Sequence, residues 1–167
     1  MTAIMAYMQS AVAGAVIVLT LTGVARAEPQ EKPIRLPASD IATMAKSSSG
    51  AGTSGVAGIE TTLLSGDPTA PGLYTIALHV PAHTRIAAHT HRDDRAAVVI
   101  SGTWFFGYGS RANEADVKAL APGSFYTEPA NMPHFALTRD EAVTIYITGF
   151  GPTDTHYVDA PSDPPRP

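Results

Sequence analysis

From residue 56 onward, apolar residues occur in short runs that turn-forming residues interrupt. Short runs rich in β-branched and aromatic residues, bounded by Gly, Pro, Asn or Asp, are typical of β-strands. The runs span residues 56–64, 73–80, 96–100, 104–108, 124–127, 134–137 and 143–148. About eight strands with no long amphipathic helix between them predict an all-β fold, either an antiparallel sandwich or a small barrel. The charged stretch 113–120 is predicted to be a loop or a single turn.

The first 27 residues differ from the rest because they contain no Asp, Glu or Lys. Residues 11–24 form an apolar run that is short for a bilayer span, which needs about 20 residues. The run ends in Ala25-Arg26-Ala27, a small-x-small pattern typical of signal peptidase cleavage. We therefore expect a signal peptide over residues 1–27, a periplasmic or secreted protein, and no stable membrane span after cleavage. An uncleaved N-terminal anchor is the alternative, because the first ten residues carry no Lys or Arg.

Residues 28–55 are rich in Pro, Ser, Ala and Gly. A segment with so few large apolar side chains buries too little surface to offset its ordering entropy, so we expect a flexible leader. Within it, residues 34–36 could add an edge strand and residues 38–45 one or two helical turns. The barrel is then expected over residues 56–160, and the proline-rich tail 161–167 is expected to be disordered.

Charge and cysteine content exclude several classes of function. The chain has 15 Asp and Glu against 11 Lys and Arg, a net charge of −4, and no block of basic residues. It therefore lacks the positive surface that binding to nucleic acid requires, and we expect no nucleic-acid partner. Because the chain has no cysteine, disulfides, thiolate metal sites and iron–sulfur clusters are excluded.

Three histidines form a candidate metal site. His89 and His91 are two residues apart, so on a strand both side chains point to the same side. His134 lies in a later apolar run, where an inward imidazole could complete a set of three. Neutral imidazoles bind Fe, Mn, Zn, Ni or Cu, and three ligands leave positions open for water or substrate. Two solvated loop histidines are the alternative interpretation of the pair.

The residues around these histidines resemble the cupin superfamily. The first cupin motif has H-x-H, three or four residues, an acidic residue, six residues and a glycine; here His89-Thr90-His91 is followed by Gly102 in register. The second motif has P-x-G and then a proline and a histidine, which Pro122-Gly123 and Pro133-His134 resemble. The resemblance covers residues 56–160. It implies a double-stranded β-helix, a small jelly-roll-like barrel, with one metal ion inside.

The chain departs from the cupin pattern at two positions. The acidic residue of the first motif falls on Arg95, which cannot bind a cation, and the glycine that usually precedes H-x-H falls on His83. Loss of the acidic ligand would be consistent with a degenerate cupin without metal.

Glu128 is the carboxylate that could replace the missing acidic ligand. It alternates with Ser124 and Tyr126, so the three would share one face of a strand. A glutamate six residues before the last histidine resembles the three-histidine cupin dioxygenases that cleave carbon–carbon bonds. The resemblance implies that Glu128 is a fourth metal ligand or a catalytic base beside the metal. A turn cap that points to solvent is the alternative.

Three further residues are candidates for substrate binding. Tyr126 and Trp104 would line the barrel, either as core residues or in contact with a ligand. Arg95 is either a surface charge beside Asp93 and Asp94 or a cation that points into the pocket and binds an anionic substrate.

The resemblance implies an exported metal-binding cupin that acts on a small oxygenated organic molecule, for example as a dioxygenase. The metal is expected to be divalent, with Fe(II) preferred and Mn, Zn or Ni as alternatives. A small-molecule binding or sensing module without catalysis is the second hypothesis. A homodimer is a further expectation by analogy with cupins that exchange strands, a role that residues around Ile34 could fill.

Overall fold

The computed structural model describes residues 33–159 of the 167-residue chain. The regular elements in this range are α1 (Ala38–Ile41), β1 (Glu60–Ser65), β2 (Gly72–Val80), β3 (Arg85–Thr90), β4 (Arg95–Ser101), β5 (Trp104–Tyr108), a 3-10 turn (Glu114–Asp116), β6 (Lys118–Leu120), β7 (Phe125–Glu128), β8 (His134–Leu137), β9 (Val143–Gly151) and β10 (His156–Tyr157). The predicted signal peptide 1–27 and the predicted tail 161–167 lie outside the described residues.

Two five-stranded sheets make up the fold. In the first sheet the strands are ordered β1-β2-β9-β4-β7, and in the second β10-β3-β8-β5-β6. Every strand pair in both sheets is antiparallel. The prediction of an all-β antiparallel structure is therefore confirmed.

Alternation along β9 shows why these segments form strands with one buried face. Val143, Ile145 and Ile147 are buried, and the residues between them are partly exposed. An apolar residue at every second position of an extended chain puts all of them on one side of the sheet. β9 lies in the middle of its sheet between β2 and β4, so this buried face forms the centre of the core.

The core lies inside the barrel. It contains Ile59, Tyr74, Ile76, Leu78, Val80, Ile86, Ala97, Val99, Trp104, Phe106, Tyr126, Ala136, Val143, Ile145 and Ile147. These residues come from both sheets. The aromatic side chains of Trp104, Phe106 and Tyr126 belong to this core and also line the cavity of the candidate site.

Some elements differ from the sequence-based expectation. The structure has β3, β6 and β10, which the pattern of apolar runs did not predict. Residues 34–36 form no strand in the described part of the chain, whereas the short helix α1 lies within the stretch 38–45 where a helical turn was expected. No helix within residues 33–159 is both long and apolar enough to cross a membrane.

Residues 47–58 precede β1, and we call them the covering segment. Its first residue, Ser47, forms a β-bridge with Thr61 of β1. Gly50, Gly52 and Gly58 have positive φ angles of 97°, 86° and 83°, a backbone conformation that glycine adopts without strain. Next to Gly52, Thr53 is buried. The covering segment thus packs against the barrel at the place where the histidines lie.

Candidate metal centre

Strand pairing brings the three candidate histidines together inside the barrel. His89 on β3 lies directly opposite His134 on β8, and His91 follows immediately after the end of β3. All three side chains are buried. One ring nitrogen of each lies within 4.8 Å of those of the other two. The sequence-predicted set of three is therefore a spatial cluster.

Hydrogen bonds fix the orientation of each imidazole. His89 Nδ1 lies 2.8 Å from the carbonyl oxygen of Ala87, and His134 Nδ1 lies 3.0 Å from that of Met132. His91 Nδ1 likewise contacts the carbonyl oxygen of Asp154. A carbonyl oxygen can only accept, so Nδ1 carries the proton and Nε2 keeps its lone pair. This is the arrangement that orients histidine as a metal ligand.

The environment keeps the three imidazoles neutral. Burial, with a smaller contribution from the neighbouring His134, lowers the pKa of His89 to about 3. Burial and the charge of Arg95 lower the pKa of His91 to about 2. The pKa of His134 is also lowered, mainly by burial. Neutral imidazoles are the form that binds a metal ion, so near pH 7 no proton has to be displaced from Nε2.

Glu128 and Arg95 form a buried ion pair beside the histidines. Arg95 begins β4 and Glu128 ends β7, and the two residues are cross-strand partners. Arg95 Nε donates to Glu128 Oε2 at 2.6 Å, and Arg95 Nη2 contacts the same oxygen. Burial opposes ionisation of Glu128, but Arg95 and the three histidines together outweigh it and hold its pKa at about 2. Glu128 is therefore a carboxylate at neutral pH.

Glu128 is also within reach of the histidine cluster. Its Oε2 lies 3.8 Å from Nε2 of His91 and 3.8 Å from Nε2 of His134. At 3.8 Å neither contact is a hydrogen bond, and both imidazoles are neutral. The carboxylate is thus placed to act as a further ligand of an ion between the histidines, or as a base next to it.

Three buried polar atoms in this region have no hydrogen-bond partner within the described residues. They are His134 Nε2, Trp104 Nε1 and Tyr126 Oη. Burial, and then the charge of Glu128, raise the pKa of Tyr126 well above its usual value, so its hydroxyl keeps its proton. Buried polar groups are paired in the large majority of cases. Because Trp104 and Glu128 also act on the Tyr126 hydroxyl, His134 Nε2 is the atom that most clearly lacks a partner in the described part of the chain, and its lone pair fits a metal ion.

A small cavity joins these groups. Its volume is about 20 Å³, which is room for about one water molecule. Its polar lining consists of Thr53, Ser54, His89, His91, Arg95, Trp104, Tyr126, Glu128, His134 and Thr155. The cavity thus fits an ion, whereas an organic ligand would need the lining to move.

The structure places every predicted site residue at this cavity and decides two open alternatives. Arg95 is 6% exposed and Glu128 is 4% exposed. The surface-charge interpretation of Arg95 is therefore wrong, and so is the interpretation of Glu128 as a solvent-facing turn cap. The reason is their cross-strand register, which places each charge opposite the other in the interior.

A second buried carboxylate, Asp93, was not predicted from the sequence. Tyr74 Oη donates to Asp93 Oδ2 at 2.7 Å, and Thr153 Oγ1 donates to Asp93 Oδ1 at 2.6 Å. Gly149 makes room for this contact, because a Cβ there would lie 2.5 Å from Asp93 Oδ2 and from Tyr74 Oη. Both partners are far from Asp93 in sequence, so no local pattern distinguishes it from the exposed Asp94 beside it.

Comparisons with known proteins come from structure alone, since no protein-family profile and no curated protein match the chain. The polyketide cyclase RemF from Streptomyces resistomycificus is 14% identical over 80% of this chain and 89% of its own, with a TM-score of 0.63. A cupin 2 conserved barrel domain protein from Rhodopseudomonas palustris is 14% identical over 62% of this chain and 69% of its own, with a TM-score of 0.51.

A third match is shorter. The DMSP lyase DddQ from Ruegeria pomeroyi DSS-3 is 19% identical over 56% of this chain, with a TM-score of 0.48, and this chain spans only 47% of that protein. Because its TM-score is below 0.5, this match is not used to assign the fold. The fold is assigned from the two longer matches. The chain therefore has the cupin fold, and a group of three buried histidines that could hold a metal ion lies inside its barrel.

Proposed function

We propose that the protein is an exported cupin that holds a divalent metal ion on His89, His91 and His134 and acts on a small oxygenated organic molecule. The observation that carries this proposal is the cluster of three buried histidines at one cavity, with Nε2 of His134 unpaired among the described residues. His134 Nε2 offers a lone pair to a metal. Within residues 33–159, Trp104 Nε1 and Tyr126 Oη form no hydrogen bond of ordinary geometry and could offer protons to a ligand.

The unpaired donors indicate which ligand chemistry the site accepts. Indole Nε1–H can only donate, and a tyrosine hydroxyl that keeps its proton is also a donor. Both line the same cavity as the histidines. A ligand that brings oxygen acceptors to the metal would satisfy both groups. A ketone, enolate or carboxylate has such oxygens, whereas a hydrocarbon has none.

The residues around the metal position supply orientation, charge and exclusion of water. A bound ion would act as a Lewis acid and, as Fe(II), could activate dioxygen. Glu128 could accept a proton from an acidic C–H or O–H group of the ligand only once the contacts with Arg95, which help hold its pKa at about 2, are released. The covering segment, together with Trp104 and Tyr126, keeps bulk water out of the cavity. Fe(II) is our first choice because imidazole and carboxylate ligands suit it. The same ligands also suit Mn, Zn or Ni, which are the alternatives.

A non-catalytic binding or sensing module is the second candidate function. The observation in its favour is Arg95, which is buried where the cupin pattern has an acidic residue. A cation among the ligands reduces the charge that the site offers to a metal. The same cavity would then recognise a small molecule without converting it.

Metal content and oxygen consumption test the proposal. Purified protein is analysed for bound metal, and oxygen uptake is then measured with Fe(II) and with panels of diketones, catechols and hydroxy-ketones. The control for His89→Ala is His83→Asn, because His83 is exposed and asparagine tolerates its φ of 57°. We expect metal in wild type and in His83→Asn and none in His89→Ala. Bound metal without oxygen consumption would favour the binding module, and absence of metal from wild-type protein would refute the metal-based proposal.

Export is tested separately from the chemistry. We propose cleavage after Ala27, where the small-x-small pattern ends. Expression of the full chain in a Gram-negative host followed by N-terminal sequencing should give Glu28 as the first residue of the periplasmic product. Intact chain in the membrane fraction would instead support the uncleaved anchor.

A further inference from the structure

Arg95 contacts two of the groups that a metal ion would use. Its Nη2 contacts Nε2 of His91, and its Nε and Nη2 both contact Oε2 of Glu128. The lone pair of His91 Nε2 is thus directed at a guanidinium N–H. An arginine in a protein keeps its proton, so this contact cannot be relieved by deprotonation.

We propose that Arg95 is a built-in competitor that weakens metal binding at the three-histidine group. It does so in two ways. Its guanidinium covers one of the three ligand nitrogens, and its fixed positive charge lies next to the position of the ion. This inference rests on the proposed function, because it concerns the same histidines, but it goes further by assigning a role to the residue that departs from the cupin pattern.

Burial makes the competition strong. The side chains of Arg95 and Glu128 are 4% and 5% exposed, so water screens their charges little. The carboxylate of Glu128 balances one positive charge and is already paired. A divalent ion that enters beside this pair brings charge that Glu128 alone does not neutralise. The repulsion between the ion and Arg95 has to be overcome each time the site is loaded.

Removal of the guanidinium should therefore increase metal affinity. The probe is Co²⁺ alone, with affinity and visible absorption as readouts, and the variants are Arg95→Gln and Arg92→Gln. Arg92 is a matched control because it also carries one positive charge and lies next to His91, but its side chain is 60% exposed. We expect Arg95→Gln to bind Co²⁺ at least about tenfold more tightly than wild type. Arg92→Gln should match wild type.

A second pair of variants keeps the test decisive if Arg95→Gln does not fold with Glu128 unpaired. Glu128→Gln leaves Arg95 as the unbalanced cation, and Arg95→Gln/Glu128→Gln removes both charges. We expect Glu128→Gln to bind Co²⁺ most weakly and the double variant to regain at least about tenfold. Equal affinity of these two variants, or of wild type and Arg95→Gln, would overturn the inference.

Failure of the inference is distinguishable from failure of the proposed function. Co²⁺ binding by Arg95→Gln but not by wild type would support a competing arginine and contradict a metal-loaded native protein. Equal, tight binding by wild type and Arg95→Gln, lost in His134→Ala, would retain the proposed metal site and overturn the role of Arg95.

Discussion

The Arg95–Glu128 ion pair is buried beside the histidines, and its contribution to stability depends on both partners. Neither charge is exposed to water. Loss of one partner leaves the other charge buried without compensation, which is far more costly than loss of a surface pair. The pair therefore constrains the fold as well as the site.

Glu128→Gln should lower the free energy of unfolding by about 3–5 kcal/mol, because Arg95 then stays buried and charged. Urea unfolding of metal-free protein at pH 7 measures this change. The control is Glu60→Gln, which removes a carboxylate from an exposed pair with Lys46 at 3.2 Å and should cost about 1 kcal/mol or less. Similar losses for both variants would show that burial does not set the strength of the Arg95 pair.

Tyr74 gives the structure a dependence on alkaline pH. Burial raises the pKa of its hydroxyl to about 12, above the value of about 10 for an unfolded tyrosine. Between these values the unfolded chain loses the proton and the folded chain keeps it, so stability falls as pH rises. Tyr74→Phe should therefore lose less stability than wild type between pH 10 and pH 12, as measured by urea unfolding.

The same variant should be less stable at neutral pH. Tyr74→Phe removes the hydrogen bond to Asp93, and a bond to a charged group contributes about 1.5–3 kcal/mol. Thr153 still donates to Asp93, so the carboxylate keeps one partner. An unchanged alkaline slope would show that Tyr74 is not the group that titrates there.

At the scale of elements, we expect the covering segment (residues 47–58) to control access to the cavity. Gly52, Thr53 and Ser54 form part of the cavity wall. Two side chains near the end of the described chain hold the segment: Tyr157 Oη donates to the Ser54 carbonyl at 2.9 Å, and Thr155 Oγ1 donates to the Thr53 carbonyl at 3.1 Å. Because the cavity is about the size of one water molecule, entry of an organic ligand requires this segment to move.

Tyr157→Phe should loosen the covering segment. The aromatic ring at position 157 still packs against His89, since the two ring centroids are 5.5 Å apart. Loss of a hydrogen bond of about 1 kcal/mol corresponds to about fivefold faster local opening. Hydrogen–deuterium exchange of residues 52–58 measures it. Tyr108→Phe is the control, since Tyr108 Oη donates to the Thr127 carbonyl at 2.6 Å on an exposed surface. Faster exchange in both variants would show that the effect is not local.

The elements that the sequence predicted are those with a continuous apolar pattern. Residues 73–80 and 143–148 fall within β2 and β9, whose buried positions alternate along the strand. The strand β3 was not predicted, although it carries His89, because its pairing with β8 is irregular between Ile86 and His89 and its buried positions do not alternate regularly. β6 and β10 have three and two residues, too few for any periodicity, so only their pairing with longer strands defines them.

The candidate site also has one part that was predictable from the sequence and one part that was not. His89 and His91 are two residues apart. This local spacing was sufficient to predict that both side chains point to the same side of the strand. The burial of Arg95 was not predictable, because it depends on the register of β4 against β7, which aligns Arg95 with Glu128. A single charged residue at a strand start looks like a surface residue until its cross-strand partner is known.

At the scale of the whole molecule, the outer surface formed by β4, β7 and β9 is uncharged and carries several exposed apolar side chains. Phe125 of β7 and Phe150 of β9 are 64% and 61% exposed, and Val98 and Ile100 of β4 are also exposed. The remaining outward positions of these three strands are Ala96, Thr127, Thr144, Tyr146 and Thr148, so none of them is charged. Contiguous apolar patches of this kind mark interaction surfaces.

We predict that this surface is the interface of the expected homodimer. An uncharged face can meet its own copy across a two-fold axis without like-charge repulsion. Phe125→Glu/Phe150→Glu would place like charges on both copies, so light scattering should give twice the chain mass for wild type and the single mass for this variant. The control is Ile34→Glu, which alters a residue 56% exposed in the segment that strand exchange would use. Loss of the dimer in Ile34→Glu alone would instead support strand exchange, and a monomeric wild-type protein would refute both forms of the dimer.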